Sequence, residues 1–473
     1  MSKYVSAAGW STITHLSVVG SMLLRNIIFA RFLSTTDFAI ALTFGEVLSL
    51  FEYISNFGHE NLMQRSTAGN QVSFQATMHS AMILRALIVA ALIIVISPYI
   101  PMVLNLGNIN FNYALLAIIP LINGFAHLDH QRLHRRQIYT LSAKIGLTAD
   151  ALSVLVAVAC VVIWENYWAF YISFLFRHTI ATLLSHIWAR RKYALAFDRQ
   201  HLKRLISFGL PLLIVGLLKY VGIETDKAIV ARFAGLETFA TYALTLMVVV
   251  NASNLVTLSL SKIFIRRVSL AKSLIAETVK SNGIIYCYLV IPILIALSLL
   301  GEGIISLIFG VQYTRIPFLI LTVCMVVGIR SLNQWLNQTV IASAPTKLLL
   351  IADIARVFGT LVGVWLTYAS GNVINIALAF GVAETLYFIS LTLLLHRRFP
   401  IIKTSVLIFT IYFSSLSALS VIYNASFQST IIVKASLTFL SLLVFCCVFL
   451  VASATCRTQS IALLRSISKR RGF

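Results

Sequence analysis

KIGLTADALSV at residues 144–154 and KLLLIADIARV at residues 347–357 align in one register, about 203 residues apart, with Lys144, Leu147, Ala149, Asp150 and Val154 recurring as Lys347, Leu350, Ala352, Asp353 and Val357. A second pair agrees at nearly the same spacing. Ala30-Arg31-Phe32 and Phe38-Ala39 return about 201 residues later as Ala231-Arg232-Phe233 and Phe239-Ala240. The chain therefore carries two copies of one unit of about 200 residues, and membrane carriers are commonly assembled from such internal repeats.

Working outward, composition sets the class. Of the 473 residues, 59% are hydrophobic and 11% charged, and the mean hydropathy is +0.91. Soluble domains carry about 25% charged residues, so this is an all-α polytopic membrane protein. Apolar runs of about 20 residues, enough to cross about 30 Å of hydrocarbon, recur from end to end. Roughly fourteen are expected, beginning near Trp10, Phe38, Met78, Phe111, Thr140, Tyr167, Ile206, Phe239, Asn282, Ile316, Lys347, Ile374, Thr404 and Ile431. Strands of a membrane barrel would instead alternate over about 10 residues.

A net charge of +22 would suggest nucleic acid for a soluble domain, but its placement here speaks of topology, and no role for nucleic acid is expected. Basic residues fill alternate loops: Arg65; Arg132, Arg135 and Arg136; Arg190, Arg191, Lys192, Arg199, Lys203 and Arg204; Lys262, Arg266, Arg267, Lys272 and Lys280; Lys347; Arg397, Arg398 and Lys403. The intervening loops hold chiefly Arg232 and Arg315. By the positive-inside rule the basic loops and both termini are cytoplasmic, which requires an even helix count.

The expected organisation is a first lobe over residues 1–193 with six helices, a basic cytoplasmic connector at 194–204, and a second six-helix lobe at 205–399. Two further helices at 400–456 and a basic tail at 457–473 follow. Six helices per lobe make both enter from one side, so the lobes are related by a pseudo-two-fold axis along the membrane normal. Cys160, Cys287, Cys324, Cys446, Cys447 and Cys456 read as small apolar residues, with neither disulfide nor zinc-site spacing. The first apolar stretch contains Arg25 and belongs to the repeat, so it is expected to be helix one and not a cleavable signal.

RNIIFARFLSTTDFAIAL (25–42) and DKAIVARFAGLETFATYAL (226–244) resemble the segments joining helices one to two and seven to eight in polysaccharide flippases of the MOP exporter superfamily. Helix seven, which opens on Phe208-Gly209-Leu210-Pro211 and carries Asp226, resembles the same family, and the O-antigen repeat-unit flippases of the Wzx type are the nearest likeness. The resemblance implies translocation of an undecaprenyl-diphosphate-linked glycan across a bacterial inner membrane. It also implies a polysaccharide polymerase and a chain-length regulator as partners, with membrane lipids around the chain.

An anionic diphosphate and a polar glycan need a wet, cationic path through the apolar slab, so ionisable residues inside helices are the candidates. Arg25, Arg177 and Lys219, with Arg85, Arg330 and Arg356 nearer the cytoplasmic face, are candidate substrate-binding bases. Arg25 and Arg177 have structural pairing with Glu46, Glu52 or Asp150 as the alternative. Asp226, Glu224, Glu384, Asp150 and Asp353 are candidate coupling or gating acids. At an offset of 201 Arg25 falls on Asp226, and at the offset of 207 that aligns Arg190-Arg191 with Arg397-Arg398 Arg177 falls on Glu384, so that lobe one would hold the diphosphate and lobe two the carboxylates answering to a coupling ion. Simple neutralisation of these acids by the facing bases is the other reading. Asp353 with Arg356 and Glu224 with Lys227 have the i,i+3 spacing of intrahelical pairs, and Asp150 and Asp353 fit lobe-internal networks or coupling sites. His127, His130 and His134 around Asp129 read as a solvated loop. Pro211, Pro292, Gly216 and Gly222 mark places where helices can bend.

No nucleotide-binding motif is evident, and GEGIISLIFG (301–310) lacks the P-loop lysine. No cofactor is expected beyond an H+ or Na+ coupling ion, with the membrane potential or consumption of product as other energy sources. Two other functions compete: a multidrug or cation antiporter of the same superfamily, and an O-antigen polymerase. The longest outer loop, from about Ser97 to Asn110, carries no charge and offers no acid or base for glycosyl transfer.

Overall fold

The computed structural model describes residues 2–412 apart from 108, 110, 137, 272, 273 and 346. The expected fourteenth helix, Cys446, Cys447, Cys456 and the basic tail lie outside the described residues. Helices α1 (Ser2–Phe32), α2 (Thr35–Ser55), α3 (His59–Arg65), α4 (Val72–Ile96), α5 (Ile100–Val103), α6 (Ile118–Gly124), α7 (Asp129–His134), α8 (Thr140–Ile163) and α9 (Tyr167–Ile187) account for the first copy of the repeat. The second copy comprises α10 (Arg199–Lys219), α11 (Thr225–Ala234), α12 (Leu236–Leu270), α13 (Ile275–Ile308), α14 (Leu319–Ser343), α15 (Lys347–Thr367) and α16 (Val373–His396). Among the described residues, 9 helical spans are long and apolar enough to cross a membrane. An apolar helix at Ile402–Tyr412 lies where the thirteenth span is expected.

Helix starts follow local chemistry. Ser34 accepts a hydrogen bond from the Asp37 amide at the head of α2, and Asn166 and Asn372 do the same for α9 and α16. These caps satisfy amide groups that have no intrahelical partner. Gly235 supplies the left-handed turn between α11 and α12, at φ 88°.

The chain divides into two compact units, Met1–Ala240 and Thr241–Phe473. In the first, α8 packs on α1 and α9, α4 on α6, and α2 on α10. The approach of α10 to α2 depends on Gly216: a Cβ there would stand 2.2 Å from the Tyr53 carbonyl oxygen. Past Pro211 and Gly216, a π-helical turn at Tyr220–Glu224 joins α10 to α11, a deformation that often marks functional sites. In the second unit α15 packs on α16, and α14 on α13 and α16.

The loop around Asp129 corrects an expectation. It is not solvated: Asp129 is 0% exposed and His127 1%. Asp129 accepts hydrogen bonds from Arg132 Nε at 2.7 Å and from the Arg190 amide at 2.8 Å. His127 accepts from the Asp129 amide and reaches the Arg191 carbonyl, while His79 accepts from the Leu128 amide and reaches the Ala194 carbonyl. Ser80 and Thr77 accept from the amides of Ala196 and Asp198. Residues 190–198 are thereby strapped to α4 and the α7 cap. Burial pushes the Asp129 carboxyl up, but the hydrogen bonds from Arg132 and Arg190 outweigh it and leave the group below its ordinary value. Burial also holds the His130 imidazole down to about 4.

Candidate functional site

Three clusters of charge interrupt the apolar interior. The first joins α1, α8 and α9. Arg177 Nε pairs with Asp150 Oδ1 at 2.7 Å, and Arg25 donates to Ser153 Oγ at 2.6 Å. Asp150 is 1% exposed and Arg25 8%. Arg25 and Arg177 are close enough to repel, with Asp150 attracting both, so Asp150 organises the cluster as a lobe-internal network. Neither Glu46 nor Glu52 is the partner of these arginines.

A cavity of about 470 Å³ begins at Arg177 and runs between α2, α4, α6 and α9 toward α3 and α7. Arg85 and Arg177 both line it, and Arg85 Nε donates to Ser55 Oγ at 3.1 Å. Glu52 and Glu60 stand on its wall beside Arg85 and attract that guanidinium. Of the candidate bases in this unit, Arg85 and Arg177 line the cavity and Arg25 does not. Lys219 is exposed at the end of α10 and is not on the cavity wall.

The second cluster surrounds the π-turn. Lys227 Nζ lies 2.7 Å from Glu46 Oε1 on α2 and 3.1 Å from Glu224 Oε2, so the expected i,i+3 pair forms and a third member joins it from another helix. Tyr53 donates to Glu224 at 3.3 Å, and Asp226 is 0% exposed. Glu46 Oε2 is buried and accepts no hydrogen bond within the described residues. Glu46 is the member of this site that sequence reasoning missed. From sequence, Glu46 stands only as an alternative partner for Arg25 and Arg177.

The third cluster joins α14, α15 and α16. Glu384, 0% exposed, pairs with Arg330 Nε at 3.1 Å and Arg356 Nη2 at 3.4 Å. Asn333 donates to its Oε2 at 2.7 Å. Arg356 also pairs with Asp353 at 2.8 Å, as its spacing predicts, and its guanidinium lies 3.7 Å from the Tyr387 ring centre. Glu384 is thus neutralised by bases of its own unit. Asn333 and Tyr387 carry no charge, so nothing in the amino-acid order marks them as members of a charge network.

Two carboxylate-arginine networks, one on α8 and α9 and one on α14, α15 and α16, thus lie inside an all-helical membrane bundle, the first of them opening on a charged cavity. Solved structures share the fold. The structure has a TM-score of 0.69 to the lipid II flippase MurJ in an inward-closed conformation, at 16% identity, covering 93% of this chain and 98% of that one. Against an inward-facing multidrug resistance MATE family transporter of the MOP superfamily the TM-score is 0.58 at 13% identity, covering 88% and 99%. Among curated proteins, the lipopolysaccharide biosynthesis protein WzxC of Escherichia coli (strain K12) is 21% identical over 359 residues, 72% of this chain and 70% of that protein. Residues 28–317 match the family described as polysaccharide biosynthesis protein, and the chain belongs to that family. It is a multi-pass membrane protein.

Proposed function

We propose that this protein flips an undecaprenyl-diphosphate-linked oligosaccharide repeat unit from the cytoplasmic to the outer leaflet of a bacterial inner membrane, with both termini cytoplasmic. The observation that carries the reading is the cavity of the first unit, on whose wall Arg85 and Arg177 stand. Ionisable groups at such depth are costly and mark substrate paths. Arginine suits a diphosphate, because its planar fork donates two parallel hydrogen bonds to phosphate oxygens. Family membership and the likeness in fold to MurJ, a lipid II flippase, support a lipid-linked glycan over a drug cation or a polymerisation reaction.

Alternating access moves the cargo, the cavity opening inward to load and outward to release. The triad of Glu46, Lys227 and Glu224 is the proposed coupling site. Lys227 holds two carboxylates, so protonation or cation binding at Glu46 would free the lysine for Glu224 and relax the attachment of α2 to α11. Glu384, Asp353 and Asp150 keep arginines oriented.

Deletion of the gene with complementation tests the reading. Single lipid-linked repeat units should accumulate on the inner leaflet and clear on restoring the wild type or a known flippase. Single units reaching the outer surface unjoined would instead indicate a polymerase.

A further inference from the structure

We propose that the cavity of the first unit is a saccharide-reading pocket, in which Glu52, Glu60, His59, His178 and Arg85 hydrogen-bond the hydroxyl groups of a sugar residue of the cargo. This deepens the flippase reading and rests on it for the identity of the cargo, though not for the chemistry of the pocket.

The chemistry of the wall selects the ligand. Arg85 and Arg177 can only donate hydrogen bonds, whereas the carboxylates of Glu52 and Glu60 can only accept them. His178 adds a second kind of acceptor. Its Nδ1 lies 2.9 Å from Asn123 Oδ1, a contact that the tautomer protonated at Nδ1 makes, and in that tautomer Nε2 is a lone pair. That Nε2 is buried without a hydrogen-bond partner, as is Nε2 of His59, a residue only 7% exposed. Buried polar atoms left unpaired cost free energy until a ligand or water satisfies them, and both of these line the same cavity.

A phosphate alone would satisfy the arginines, face Glu52 and Glu60 with like charge, and leave an Nε2 lone pair on His178 unmet. A metal or organic cation would be opposed by Arg85 and Arg177, and no group of three or more His, Cys, Asp or Glu side chains able to hold a metal ion occurs among the described residues. A neutral polyol meets every demand, because each hydroxyl both donates and accepts. Phe174, packed edge to face on His178 at 4.7 Å, adds an apolar wall for the C–H face of a sugar ring. The volume, about 470 Å³, lies within the range of small-molecule sites. Arg177, anchored on Asp150, stands on the wall where a diphosphate joined to that sugar would be met.

The test uses purified full-length protein in detergent. Saturation-transfer NMR is run against free galactose, glucose, mannose, rhamnose, fucose and N-acetylglucosamine, with inorganic pyrophosphate as a separate probe. One or more sugars should bind and compete with one another. Glu60→Gln and His178→Phe should each weaken binding about tenfold, the effect of losing one charged or buried hydrogen bond, without changing the melting temperature by more than a few degrees. His178→Phe keeps the ring packing and removes the lone pair, so it guards against loss through misfolding. Binding of pyrophosphate but no sugar would make the pocket an anion site and overturn the proposal. So would sugar binding unchanged in both variants, or the absence of any sugar binding in protein that restores export. Sugar binding that follows the variants, in a protein whose deletion leaves lipid-linked units undisturbed, would uphold the pocket and overturn the flippase reading.

Discussion

Arg177 on α9 and Glu384 on α16, which fall on one another at the offset of 207 that aligns Arg190-Arg191 with Arg397-Arg398, carry opposite charge, and each is held by an oppositely charged residue on the preceding helix. Asp150 Oδ1 lies 2.7 Å from Arg177 Nε, and Arg356 Nη2 lies 3.4 Å from Glu384 Oε2. The repeat register carries Asp150 onto Asp353 and Ser153 onto Arg356. The base of the second network therefore stands where the first network has the hydroxyl that accepts from Arg25. Sign is exchanged while the architecture is kept.

Removing Glu384 should be costly. With Glu384→Ala, Arg330 and Arg356 lose their shared carboxylate in a buried site, and breaking a buried pair by removing one partner costs about 3–5 kcal/mol. Thermal unfolding in detergent should show a lower midpoint for Glu384→Ala. Glu384→Gln combined with Arg330→Gln should recover part of the loss, and equal destabilisation in the two variants would contradict the pairing.

Arg85 and Arg177 should matter to transport in different ways. Arg85→Ala should abolish surface polysaccharide while leaving the protein folded, because Arg85 lies on the cavity wall with a single hydrogen bond, to Ser55 Oγ. Arg177→Ala should lower both transport and melting temperature, since it also strands Asp150. Export by Arg85→Ala at the wild-type level would remove that residue from the substrate path.

The Glu46 triad predicts separable effects on coupling and stability. Glu46→Gln should preserve folding but make uptake of the lipid-linked substrate into inverted vesicles insensitive to the imposed proton or sodium gradient. Lys227→Ala leaves Glu46 and Glu224 facing each other without their lysine and should lower the melting temperature. A gradient dependence unchanged in Glu46→Gln would move the coupling site elsewhere.

Gly216→Leu should separate α2 from α10. Even a methyl group at that position would meet the Tyr53 carbonyl oxygen at 2.2 Å, and overpacking of this kind costs about 1–3 kcal/mol. Gly216→Ala should show a smaller loss in the melting temperature than the leucine variant.

Acid should loosen the cap under α4. His130 is held down to about 4, chiefly by burial and then by His134, and an unfolded histidine titrates near about 6.5. Between these values the unfolded chain binds the extra proton, so this contribution to stability is full above about 6.5 and is lost as pH falls toward about 4. A melting-temperature series over that window should fall on the acid side, and His130→Asn should flatten the slope.

The duplicated register, the helical class and the pairs spaced i,i+3 are all legible in the amino-acid order, because each depends on spacing along one helix or on hydropathy alone. Lys227 with Glu224 and Arg356 with Asp353 follow directly. Contacts between helices are harder to read. Whether Arg177 meets Asp150, Glu46 or Glu52 depends on how three helices rotate about their axes, and all three acids are plausible from sequence. The role of Glu46 is hidden for the same reason, since Lys227 already has an acid one turn away. The histidine loop misleads because polar residues in a short connection resemble solvated ones until the strap at 190–198 folds over them.

Since the networks around Arg177 and Glu384 are each closed by residues of their own repeat, unlike the Glu46–Lys227 pair that joins the two copies, a change of sign at either position places no demand on the other copy. After the ancestral gene duplicated, Arg177 and Glu384 could drift to opposite charge by substitutions confined to one half, without a compensating change in the sister half.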